Sequence, residues 1–178
     1  KGIFTILSSC AARQLEEVTF RRNTIPVQEL FDAAGKYFRK VMKNRTEKVE
    51  LIIEPMEAKV IGDVNQLRFL FENLIDEALA VREEGVIRLQ ARKDNEYIRF
   101  LFTDTRREKS VTELNQLFYP NLARMTSGEK GELRGTEYLI CKQIIRDHDE
   151  FAGRRGCRIN AEPAEGGGFT VYFTIPRR

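Results

Sequence analysis

The sequence predicts an α+β chain folded as a two-layer sandwich, with a mixed, mostly antiparallel sheet covered on one face by helices. Two observations carry that expectation. Several long stretches place apolar residues at the 3.6-residue helical period. Shorter ones alternate apolar and polar residues at the two-residue period of half-buried strands and occur largely as hairpins. The helices and hairpins cover their apolar sides by packing layer on layer.

Length and composition set the frame. The 178 residues are enough for one ordinary core, burying roughly 70% of the surface an unfolded chain exposes. With 42% hydrophobic and 32% charged residues, near-average values, the composition points to neither disorder nor a fibrous architecture. The net charge of +3 comes from 30 basic and 27 acidic side chains with interleaved signs, which argues little about partners. Four Arg-Arg pairs, starting at Arg21, Arg106, Arg154 and Arg177, offer a phosphate-binding surface. With no aromatic-interleaved basic run or nucleic-acid motif beside them, they read as solvated surface, and nucleic acid is not an expected partner. Cys10, Cys141 and Cys157 are odd in number and lack metal-ligand spacing, so they read as reduced thiols in a reducing, cytoplasmic compartment. No apolar run approaches the length needed to span a bilayer. The start at Lys1, without methionine, suggests a piece of a longer protein whose membrane anchor, if any, lies elsewhere.

The elements follow in order. Ile3, Ile6, Leu7, Cys10, Leu15 and Val18 predict a helix within 1–22, and residues 1–24 are read as an N-terminal unit, the tail of a dimerisation helix. Residues 25–178 form the main domain. There Val27, Leu30, Phe31, Ala34, Phe38, Val41 and Met42 make the cleanest amphipathic helix, with Pro26 suited to its first turn. Val49 to Ile53 reads as a strand stopped by Pro55, and Val60-Ile61 as a further short one. A third helix begins at Asp63, spaced from Gln66 as in a capping box, and carries Leu67, Leu70, Phe71, Leu74, Ile75 and Ala78 on one stripe. Ile87 to Arg92 and Ile98 to Phe102 alternate on either side of Asp94-Asn95 and form a hairpin. Ser110 and Glu113 cap a short helix bearing Leu114, Leu117 and Phe118, after which 120–135 is a polar, glycine-punctuated stretch read as a mobile loop. Gly135 precedes a helix that runs to His148. The closing hairpin, 158–162 and 169–175, turns at Glu165 to Gly168 and points Phe169, Val171, Phe173 and Ile175 to one side.

The order of these parts resembles the ATP-binding domain of sensor histidine kinases, members of the GHKL ATPase group that also includes type II topoisomerases. The resemblance covers about 25–178 and is carried by Asn73-Leu-Ile-Asp-Glu77 on the third helix, by Asp104 after the strand ending at Thr103, by Gly135 before the next helix and by the closing hairpin. It implies that Asn73 and the position of Glu77 face a triphosphate, that Asp104 accepts from the adenine amine, and that Gly131 and Gly135 belong to a phosphate-holding loop.

Several positions depart from that pattern. Glu77 stands where the family has a magnesium-binding asparagine, and a carboxylate only accepts hydrogen bonds while bringing charge toward a polyanion. One such like-charge pair costs on the order of 4 kcal/mol at about 4 Å and an effective dielectric near 20. Ala80 replaces a common lysine, Arg106 and Glu108 replace glycines that let backbone approach the base, and Glu137 replaces the second glycine of the phosphate turn. Each residue also has a plainer reading: Asp104 as a turn residue, Glu137 as a favourable first-turn acid, and His148, the single histidine, as structural.

The leading expectation is a degenerate, pseudokinase-like nucleotide site. Asn73, Glu77, Asp104, Gly131 and Gly135 are then vestigial, with no catalytic residue, no resident metal, and weak or absent Mg-ATP binding. Such a domain acts in two-component signal transduction through contacts with dimerisation helices of the same protein, a partner kinase or a response regulator. It is expected as a cytoplasmic unit, a homodimer through the preceding region, or the intracellular part of a membrane-anchored sensor. The alternative is an active histidine kinase domain that uses ATP and Mg²⁺, with Glu77 on the metal and Arg106 or Arg107 on phosphates. A phosphotransferase reading is weakened because 1–22 contains no histidine.

Overall fold

A computed structural model describes residues 19–120 and 136–178. The expected helix and dimerisation tail within 1–18, the loop at 121–135, Cys10, Gly131 and Gly135 lie outside the described residues. Within them, seven strands and four helices form the expected α+β arrangement. The strands are β1 (Asn23–Pro26), β2 (Val49–Ile53), β3 (Lys59–Gly62), β4 (Gly85–Asp94), β5 (Tyr97–Asp104), β6 (Ile159–Pro163) and β7 (Phe169–Pro176). The helices are α1 (Val27–Met42), α2 (Val64–Leu79), α3 (Val111–Asn115) and α4 (Thr136–Phe151).

The main sheet has the order β2-β4-β5-β7-β6, with β2 parallel to β4 and every other pair antiparallel. Register follows the side-chain alternation. Leu89 pairs with Phe102, Phe102 with Val171, and Phe100 with Phe173, so the inward residues of three strands line one face. The hairpin between β4 and β5 turns at Asn95, whose φ of 54° lies in the left-handed region that asparagine tolerates.

Helices α1, α2 and α4 lay their apolar stripes on that face. Phe31 of α1 and Phe71 of α2 meet edge to face at 6.2 Å, and Phe71 reaches Phe100 at 5.8 Å and Phe173 at 5.6 Å. Phe100 and Phe173 stack across the β5–β7 ladder at 4.9 Å. Such pairs add about 0.5–1.5 kcal/mol each beyond the area they bury.

Two details differ from the sequence reading. Asn23–Pro26 is a strand rather than a linker, because it finds an antiparallel partner in β3 with Ile25 opposite Val60. Pro26 therefore ends β1 and stands just outside α1 instead of in its first turn, and Val27 N–H donates to Ala58 O at 2.9 Å. The short helix also stops at Asn115, leaving Leu117 and Phe118 on the turn behind it, both buried. Its capping box is present: Glu113 N–H donates to Ser110 Oγ at 3.1 Å, and Ser110 N–H to Glu113 Oε1 at 3.0 Å.

Candidate functional site

Helix α2 sits at the middle of the expected site, and its two ends are held differently. At the first, the Asp63 carboxylate accepts from Asn65 N–H at 3.0 Å and Gln66 N–H at 3.2 Å, a side-chain cap for otherwise orphaned donors. Its other oxygen accepts from Arg21 N–H at 2.9 Å. Asp63 N–H in turn donates to His148 Nε2 at 3.1 Å. Nδ1 of His148 must then carry the proton, which it donates to Ile144 O at 2.8 Å. This fully buried histidine is a link between α4 and the start of α2.

The last turn of α2 is closed from a distance. Asp104, at the end of β5, is 4% exposed, and the side chain of Arg106 two residues on is entirely buried. Arg106 Nε and Nη2 grip Asp104 Oδ1 and Oδ2, each at 2.9 Å, and Arg106 N–H donates to Oδ1 at 3.0 Å. The remaining guanidinium donors reach the carbonyls of Ala78 at 2.6 Å, Glu83 at 2.8 Å and Val81 at 3.3 Å. All five N–H groups of the guanidinium are thereby satisfied, which a buried arginine requires.

Room for the arginine comes from Gly85, at φ +142°. A Cβ there would fall 2.7 Å from Arg106 Cγ.

The predicted site residues lie around this arrangement. Asn73 is 5% exposed and turns its Nδ2 back to Phe69 O at 2.8 Å, on its own helix. Glu77, one turn on, is half-buried. Glu137 stands in the first turn of α4, with its Oε2 buried and lacking a hydrogen-bond partner. Both glutamates border Cys141, whose thiol is pushed well above its ordinary range by burial first and by these two charges second. Cys141 donates its S–H to Leu70 O at 3.7 Å, tying α4 to α2. Ala80 and Glu108 are exposed.

The structure thus joins Asp104 to the turn that follows Glu77, and sets Glu77 and Glu137 on facing helices. Among the described residues, no group of three His, Cys, Asp or Glu side chains is arranged to hold a metal ion.

A purine amine seeking Asp104 would meet a buried carboxylate whose Oδ1 already accepts two hydrogen bonds and whose Oδ2 accepts one. The residues as placed do not fit a base unless Arg106 leaves, and its departure would take a donor from three carbonyls and leave the Asp104 charge without its partner. Arg106, held by these contacts, is equally occupied with respect to phosphates; Arg107, the other arginine the active-kinase alternative named, is exposed. Sequence reasoning identified Arg106 as a bulky replacement but missed its pairing. The signals were an acid and an arginine two apart at a strand end, and a glycine opening the preceding strand.

Comparison with known proteins places this geometry among relatives. The family model described as histidine kinase-, DNA gyrase B- and HSP90-like ATPase matches residues 62–178. The signal transduction histidine-protein kinase BaeS of Escherichia coli K12 is 24% identical over 163 residues, covering 89% of this chain and 33% of its own length. The chain therefore spans about a third of that relative.

Among solved structures, the histidine kinase AdeS of Acinetobacter baumannii superposes with a TM-score of 0.69 at 13% identity, over 97% of this chain and 76% of that one. The nucleotide-free catalytic domain of histidine kinase ThkA gives 0.69 at 19% identity, over 88% and 96%. ThkA in complex with the response regulator protein TrrA gives 0.67 at 18% identity, over 99% and 49%. At these identities the solved structures establish the fold.

Proposed function

Because the chain belongs to the family of histidine kinase-, DNA gyrase B- and HSP90-like ATPases, we propose that it is the ATPase-type domain of a two-component sensor histidine kinase in which the nucleotide site has become a structural joint, binding Mg-ATP weakly or not at all. The observation that carries this reading is the buried pairing of Arg106 with Asp104. The guanidinium is planar, presents paired N–H donors to a carboxylate and lies against the last turn of α2, so it takes the donor role that an adenine amine would play there. Glu77 and Glu137, on the facing helices α2 and α4, add negative charge where a triphosphate would approach.

In this reading the domain signals by contact. It docks on the dimerisation helices of its own protein or on a response regulator, the class of partner found with ThkA. Position rather than phosphate transfer is what it communicates.

The test is thermal melting with and without Mg-ATP. A ligand at about 100 times its dissociation constant stabilises a binder by roughly 2.7 kcal/mol, and the expectation is no upward shift at millimolar nucleotide. A dose-dependent rise in melting temperature, abolished by Asp104→Asn, would overturn the reading.

A further inference from the structure

Three of the four Arg-Arg pairs meet at one place. A surface cavity of about 480 Å³ is lined by Arg22, Arg154, Arg177 and Arg178, over a floor of Ile61, Ala152 and Pro176. Phe169 pairs with Asp104 at one end of the β5–β7 ladder and Pro176 with Tyr97 at the other. At about 3.3 Å per residue, the strand puts the cavity roughly 23 Å from the Asp104 end.

Each arginine is brought there by backbone. Arg177 N–H donates to Glu96 O at 2.9 Å and Arg178 N–H to Lys59 O at 3.0 Å, extending β7 between the two sheets. Arg178 Nη1 also lies 3.5 Å from Thr24 Oγ1. The loop carrying Arg154 is tied down by Tyr97, whose hydroxyl donates to Arg155 O, and by Asp149, whose carboxylate accepts from Gly156 N–H at 2.6 Å and Cys157 N–H at 3.0 Å. Gly153, at φ +98°, clears space for Arg22, since a Cβ there would stand 2.8 Å from Arg22 Nη1.

Among the described residues no Asp or Glu side chain lines the cavity, and Arg154 Nη2 pairs with Glu96 Oε2 at 3.0 Å, both side chains being exposed. Gathering cations in this way costs mutual repulsion that a multiply charged anion relieves.

We propose that this cavity is a binding site for a small ligand carrying two or more phosphate groups, independent of the nucleotide reading above. The guanidinium forks match phosphate oxygens bidentately. The volume falls in the range of small-molecule sites, and the apolar floor accepts whatever carries the phosphates.

The experiment is calorimetric titration of the chain with inorganic triphosphate, a probe with no base, at low ionic strength. Expected is saturable one-to-one binding that weakens as salt rises. The double variant Arg22→Ala/Arg177→Ala should weaken it about a hundredfold, the loss of two charge-assisted hydrogen bonds, with an unchanged melting temperature because only exposed side-chain atoms are removed. Arg107→Ala, away from the cavity, should leave binding as it is. No saturable binding of triphosphate would overturn the proposal, as would binding that the double variant leaves intact. Binding confined to vesicles of anionic lipid or to an acidic peptide would overturn it as well.

Discussion

The two ends of helix α2 solve one problem by opposite means. At its start, unpaired N–H groups are answered locally by Asp63, one residue outside the helix, with neutral His148 behind it. At its finish, the carbonyl of Ala78 and those of Val81 and Glu83 just beyond the helix are answered by a cation borrowed from beyond β5, which brings along the carboxylate of Asp104. A local cap is cheap to build and modest in value. A buried ion pair demands full satisfaction of both partners and, once made, is costly to break.

The sharpest way to test that contrast is to truncate the distant cap. Arg106→Ala leaves Asp104 charged and buried and should lower unfolding free energy by about 3–5 kcal/mol in denaturant titrations; a loss under about 1 kcal/mol would mean the pair contributes little to holding α2. Next in size, His148→Leu removes the acceptor for Asp63 N–H and should cost about 1–3 kcal/mol. Amide exchange should then speed first at the start of α2, and uniform acceleration would place the histidine's role elsewhere. Asp63→Ala should cost about 0.5–2 kcal/mol, so an effect equal to that of Arg106→Ala would erase the distinction between the two ends.

The smallest effect at neutral pH belongs to a thiol outside both, whose contribution shows only under alkaline conditions. Burial, with Asp149 nearby, raises Cys157 from an ordinary value of 9.0 to about 12. The unfolded chain releases this proton near pH 9 and the folded one near 12. The stabilising contribution is therefore whole below pH 9 and is lost as pH rises through that window. Relative to wild type, Cys157→Ala should regain on the order of 1 kcal/mol per pH unit across it, and parallel pH profiles for the two proteins would refute the assignment.

The same two ends show what could be read in the sequence. The cap at Asp63 was legible because its partners lie two and three residues away, as were the stripes of α1 and α2 and the alternation of β5 and β7, each a local repeat. The mixed sheet and its helical cover followed from those repeats, whereas the number and order of its five strands rest on non-local pairing. Arg106 was legible as an intruder but not as a cap, because its partners at Ala78 to Glu83 are more than twenty residues upstream and no periodicity joins them. Strand β1 was missed for a similar reason: four residues with one inward-facing side chain, Ile25, become a strand only beside β3. The arginine pairs looked like scattered surface charge until the backbone register of β7 and the loop after α4 brought three of them to one cavity.

A clamp encoded in the chain is delivered at translation, one per molecule, with nothing to dilute and nothing to exhaust. The final turn of α2 is held by Arg106 in a starved cell as firmly as in a well-fed one, and under the proposed reading whatever repositions that helix comes as force through neighbouring polypeptide rather than through nucleotide at Asp104.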